Sequence, residues 1–189
     1  MNTKTITRFG LLTAVALVLG YFERFIPIAT TLPGIKLGLA NTILLYAIYM
    51  MNNKSALCLM LLKVMLSGML FAGMSGALYS LSGGLLSLIM MLIVKSQRGV
   101  SIIGVSLVGA VFHNVGQILA ASMIMQSRGV FLYLPALLIA AVITGMLTGI
   151  TAKYVLKGLS INYSPIKITK KKTEITNCED SEKFLHIGL

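Results

Sequence analysis

Three hydrogen-bonding side chains stand together in an otherwise apolar stretch, Gly109-Ala-Val-Phe-His-Asn-Val-Gly-Gln117. His113 and Gln117 are four residues apart, so they share one face of a helix, and Asn114 borders that face. Buried in lipid, such groups are costly unless they find partners. They therefore form either an interhelical hydrogen-bond network or a face that recognises a ligand. A metal centre is disfavoured, because no second His or Cys accompanies His113. Lys63, in Leu61-Leu62-Lys63-Val64-Met65, sits in the middle of another apolar run. A lysine at mid-membrane costs roughly 2.5–3.5 kcal/mol on insertion scales. It either donates to backbone carbonyls or lines a polar cavity as a cation. Glu23 is the only acidic residue in the first 173 positions; Glu174, Glu179, Asp180 and Glu182 follow near the end. It either forms an exposed pair with Arg24, neutralises a buried cation such as Lys36 or Lys63, or contacts a ligand. Chemistry that depends on magnesium or zinc usually needs clustered carboxylates, and this chain offers none before its tail. The expected role is to bind, carry or scaffold, and not to catalyse.

The elements that must position these groups are membrane helices. The chain is 57% hydrophobic and 11% charged, with a mean hydropathy of +0.90; a soluble domain is nearer 25% charged. Apolar runs recur through residues 5–157 without the alternation of a β-barrel strand, so the first is not expected to be a removable signal peptide. Six spans are predicted: Thr5–Phe22, Ile35–Met51, Ser55–Ala72, Gly76–Val94, Val100–Gln126 and Phe131–Leu156. Pro27 and Pro33 forbid a continuous helix between the first two, and Asn52-Asn53 reads as a turn. Small residues at four-residue spacing (Gly34 and Gly38; Gly76, Ser80 and Gly84; Ala141, Gly145 and Gly149) predict close helix packing.

Basic residues set the expected orientation. With the N-terminus inside, Lys4, Arg8, Lys54, Lys95, Arg98, Lys153, Lys157 and Lys170-Lys171-Lys172 fall on the cytoplasmic side, against Arg24, Lys36 and Arg128 outside. Both termini are thus expected in the cytoplasm of a cell-membrane protein. The net charge of +11 is spread over helix ends and tail, so nucleic acid is not an expected partner. Cys58 and Cys178 are too far apart in kind and place to suggest a metal site or disulfide. Residues 1–157 form the expected membrane domain. Residues 158–189 form a polar, basic cytoplasmic tail with too little apolar surface for a core, in which Lys167–Lys172 can meet anionic lipid.

In this topology Lys36 and Asn41 project into the outer half of the bundle, and His113 to Gln117 climb outward from mid-depth. The predicted site is therefore a pocket open to the outside and lined by Glu23, Lys36, Asn41, Lys63, His113, Asn114 and Gln117. Its cations suit an anionic or carbonyl-rich small molecule, and no cofactor is expected.

Several segments carry a resemblance. Glu23-Arg-Phe-Ile-Pro27, Leu32-Pro-Gly-Ile-Lys-Leu-Gly-Leu-Ala-Asn41, Tyr79-Ser-Leu-Ser-Gly-Gly-Leu-Leu-Ser87, Gly109–Gln117 and the stretch from Leu134-Pro135 to Gly149 resemble the Gx transporter family, also catalogued as heptaprenyl diphosphate synthase component I. The likeness covers roughly residues 5–157. The family's plan is similar to the substrate-binding S components of energy-coupling-factor transporters. That resemblance implies capture of a small molecule outside the cell, with a transmembrane coupling subunit and two cytoplasmic ATPases as partners. The synthase name implies instead an accessory subunit beside a soluble prenyl synthase, because a single aspartate cannot build the two aspartate-rich motifs of a prenyl transferase. Occurrence of members near quinone and flavin electron-transfer systems implies a third possibility, a redox partner. S components often carry Ala-x-x-x-Ala on the first helix, where they dock the coupling subunit; this chain has Ala16-x-x-x-Gly20.

Overall fold

The computed structural model describes residues 3–23, 38–97 and 99–158. The loop carrying Arg24, Pro27, Pro33 and Lys36 lies outside these residues, as does the tail. Every regular element among the described residues is a helix, and no strand occurs among them. The α-helices are α1 (Thr3–Phe22), α2 (Leu39–Met50), α3 (Asn53–Ser67), α4 (Gly73–Ser96), α5 (Ile102–Met125) and α6 (Leu134–Gly158).

Four helical stretches are long and apolar enough to cross a membrane: Asn53–Phe71, Gly73–Ser96, Ile102–Met125 and Gly129–Gly158. The apolar parts of α1 and α2, Ile6–Phe22 and Asn41–Met50, are shorter. The outer surface is apolar, with Met69, Met74, Leu132 and Ile139 strongly exposed. Water would penalise such a surface, and hydrocarbon accepts it.

The largest departure from the predicted spans is α2. Its 12 residues rise only about 18 Å, against roughly 30 Å of hydrocarbon. Gly38 stands in the left-handed conformation, φ 75°, at the N-cap. A right-handed helix cannot pass through that backbone, so α2 starts late. Its first turn is closed by the Asn41 N–H donating to the Gly38 carbonyl at 2.7 Å.

The α3–α4 hairpin is tighter than a polar loop would make it. After Ser67 the chain takes a π-helical turn, Gly68–Ala72. Gly73, at φ 70° and ψ 176°, then reverses it directly into α4. Only glycine adopts that region readily. Ser101 caps α5 by accepting from the Gly104 N–H at 3.1 Å. A 3-10 segment, Arg128–Tyr133, leads into α6. Pro135 falls in the first turn of α6, where a missing N–H costs nothing.

Helix packing follows the small residues. A Cβ on Gly83 of α4 would stand 2.6 Å from the His113 carbonyl oxygen, and one on Gly116 of α5 would stand 2.8 Å from Gly83 Cα. Between α5 and α6, a Cβ on Gly145 would stand 2.9 Å from Leu107 Cα, and one on Gly149 2.8 Å from Ile103 Cα. The Ala141-Gly145-Gly149 stripe therefore packs inside the molecule, as its spacing predicts. The apolar core gathers Leu44, Leu45, Ile48, Leu59, Met60, Val105 and Leu156, and borders the site described next, with Leu44, Leu45 and Met60 in the shared wall.

Candidate small-molecule cavity

A cavity of about 410 Å³ opens inside the bundle, and all six helices or their ends contribute to it. Glu23, Asn41, Lys63, His113, Asn114 and Gln117 all line it. Six of the seven residues nominated from the sequence thus face one space. The seventh, Lys36, lies outside the described residues. The enclosed volume is within the range of roughly 300–1,000 Å³ typical of small-molecule pockets.

Each nominated group is held by its own element. Lys63, near the middle of α3, donates from Nζ to Asn41 Oδ1 at 3.1 Å. This bond to a side chain differs from the backbone pairing considered for that lysine. Asn114 donates from Nδ2 to the Leu137 carbonyl at 2.9 Å, fastening α5 to α6. Glu23 immediately follows α1 and is only 6% exposed; Arg24, the neighbour suggested as its partner, lies outside the described residues. His113 and Gln117 lie where Gly83 lets α4 come closest to α5. Any larger residue at Gly83 would push that face away from the cavity.

The wall also holds groups that sequence reasoning passed over. Ser67, Ser87, Ser106, Thr144 and Thr148 join it as hydroxyl groups, and Ser80, read above as a packing residue, joins them. Ser106 and Thr148 are buried and bonded to each other at 2.8 Å. Thr148 Oγ1 also reaches the Thr144 carbonyl at 2.9 Å and the Gly145 carbonyl at 3.1 Å. Met60 and Met91 supply an apolar, polarisable part of the wall.

Two further placements refine the sequence reading. Lys95 lies just past the span predicted to end at Val94, but α4 runs to Ser96, and Lys95 Nζ donates to the Ile48 carbonyl at 2.6 Å while standing 5.0 Å from the Tyr49 ring centre. The lysine thereby caps the short α2. Ala16 is 1% exposed and Gly20 lines the cavity. The Ala16-x-x-x-Gly20 face is therefore turned into the bundle. Among the described residues, no group of three or more His, Cys, Asp or Glu is placed to hold a metal ion.

A family model described as heptaprenyl diphosphate synthase component I matches residues 12–155. The chain belongs to this family. Every residue lining the cavity, from Gly20 to Thr148, lies inside the matched stretch. No curated protein and no solved structure matches the chain.

Proposed function

We propose that this component I chain is a membrane subunit that captures a small polar molecule from the outer side of the cell membrane. The observation that carries this reading is the convergence of Glu23, Asn41, Lys63, His113, Asn114 and Gln117 on one cavity. A purely structural polar network would fill its own space; this one encloses about 410 Å³. In this reading all six helices cross or enter the membrane, both termini are cytoplasmic, and Glu23 marks the outer mouth. The sequence resemblance noted above would imply as partners a transmembrane coupling subunit and ATPases that drive uptake.

The family's description favours a second reading, a non-catalytic membrane subunit beside a prenyl diphosphate synthase. The two readings predict different company. The tagged protein is purified in mild detergent and its partners are identified by mass spectrometry. Recovery of a coupling subunit with ATPases supports capture for transport. Recovery of a soluble, aspartate-rich synthase or a redox protein in their place contradicts transport, and the cavity then belongs to that partner's chemistry.

A further inference from the structure

Hydrogen-bond bookkeeping sorts the cavity wall into two unlike sides. The sorting builds on the reading of this cavity as a small-molecule site. On the wall contributed by α2 and α3, Lys63 donates to Asn41 Oδ1. An ammonium has no lone pair, so the Asn41 amide must turn its oxygen to Lys63. Its NH2 end is left with no acceptor among the described residues. This wall presents the Asn41 amide N–H groups beside the Lys63 ammonium, and the amide calls for an acceptor.

The wall contributed by α5 and α6 is the reverse. A carbonyl only accepts, so the bond to Leu137 fixes the Asn114 nitrogen toward α6 and leaves Oδ1 as the amide's other end. A hydroxyl has one proton. Thr148 directs its proton to the carbonyls of Thr144 and Gly145, so Ser106 must donate to Thr148 across their 2.8 Å contact. What Ser106 has left is lone pairs. Ser87, 2% exposed, lines the cavity from α4 and has no hydrogen-bond partner among the described residues. Glu23 adds one carboxylate to the lining, which disfavours a ligand carrying several negative charges. Ser106 and Asn114 are eight residues apart on α5, about 12 Å along its axis.

We infer that the cavity selects a compound with three parts. One anionic group, carboxylate or phosphate, meets Lys63 and Asn41. An N–H donor meets the lone pairs of Ser106. An apolar body lies between them against Met60 and Met91.

The test uses the full chain in lipid nanodiscs and affinity-selection mass spectrometry. The probes are matched sets built on pyrimidine, purine and benzimidazole rings. Each ring is presented with an anionic group and a free ring N–H, with the anion and a methylated nitrogen, with the N–H and no anion, and with neither. Carboxylate and phosphate members are run separately, so the preferred anion is read directly. The first set should be retained about ten-fold better than the others, as expected for a hydrogen bond to a charged group. Lys63→Met should lower retention of anionic members about ten-fold and leave neutral N–H members alone. Ser106→Ala should lower retention of N–H members about five-fold and leave the methylated ones alone. Equal retention of all four sets, or variants that weaken every set alike, overturns the assignment while leaving a binding cavity. No retention of any set by monodisperse, helical wild-type protein overturns the assignment together with the small-molecule reading beneath it.

Discussion

Helices α4, α5 and α6 are joined backbone to backbone, whereas α1, α2 and α3 meet through side chains. In the first group Gly83 faces Gly116, and Gly145 and Gly149 seat against Leu107 and Ile103 with no room for a methyl group. In the second, Leu45, Ile48 and Leu59 fill the contacts, α2 is short, and the hydroxyls of Thr13 and Thr42 are buried without a hydrogen bond. The cavity lies between the two groups. Its neutral amide and hydroxyl acceptors stand on the glycine-packed side, and its ammonium on the other. A rigid wall holds neutral groups in register, where small displacements would cost their directional bonds. A charge tolerates displacement better, because Coulomb attraction falls off slowly with distance.

The sharpest way to break this contrast is to add volume on both sides. Gly116→Val should destabilise the protein by about 3 kcal/mol or prevent its recovery as a folded monomer, because backbone sits where the side chain must go. Gly10→Ala in α1, where nothing lies within 4 Å, should instead stabilise by about 0.5 kcal/mol through helix propensity. Thermal unfolding in detergent, followed by circular dichroism, reads both. Equal losses at the two positions would remove the distinction between the helix groups.

Gly73→Ala comes next. Nothing crowds Gly73, but its backbone at φ 70° and ψ 176° should cost about 1–3 kcal/mol with any side chain. Loss of thermal stability without loss of oligomeric homogeneity is the expected result.

The smallest effects have opposite signs, which makes them informative. Thr42→Val removes a buried hydroxyl, 5% exposed, that has no hydrogen bond, and should stabilise by about 1 kcal/mol. Thr148→Val removes the hydroxyl bonded to Ser106 and should destabilise by about 1 kcal/mol. The same thermal measurement on both variants checks the pair, and like signs would contradict the hydrogen-bond assignment.

Much of this site was legible in the sequence for one physical reason: polar groups in hydrocarbon must be accounted for. Glu23, Asn41, Lys63, His113, Asn114 and Gln117 stand out against apolar neighbours, and they do line one cavity. The helix succession was legible for the same reason. The hydroxyl lining was not, because serine and threonine can satisfy themselves on their own helix, as Ser82 does in part with the Tyr79 carbonyl. Ser106 and Thr148 therefore looked ordinary until their mutual contact was visible. The Gly83–Gly116 crossing was hidden because it joins two helices and forms no repeat within either. The role of Lys95 was not legible, because only the approach of α2 gives it a carbonyl to cap. The shortness of α2 depends on the left-handed turn at Gly38, which composition does not reveal.

The most direct test of the central claim is whether the cavity is occupied. The protein is purified from membranes in mild detergent, denatured, and its small-molecule extract quantified by mass spectrometry beside Lys63→Ala and His113→Ala variants matched for yield and helicity. The account predicts one compound recovered with wild-type protein in near-stoichiometric amount and lost from both variants. Recovery from the variants at the wild-type level would contradict it, as would wild-type protein that yields no compound and binds none when small molecules are offered.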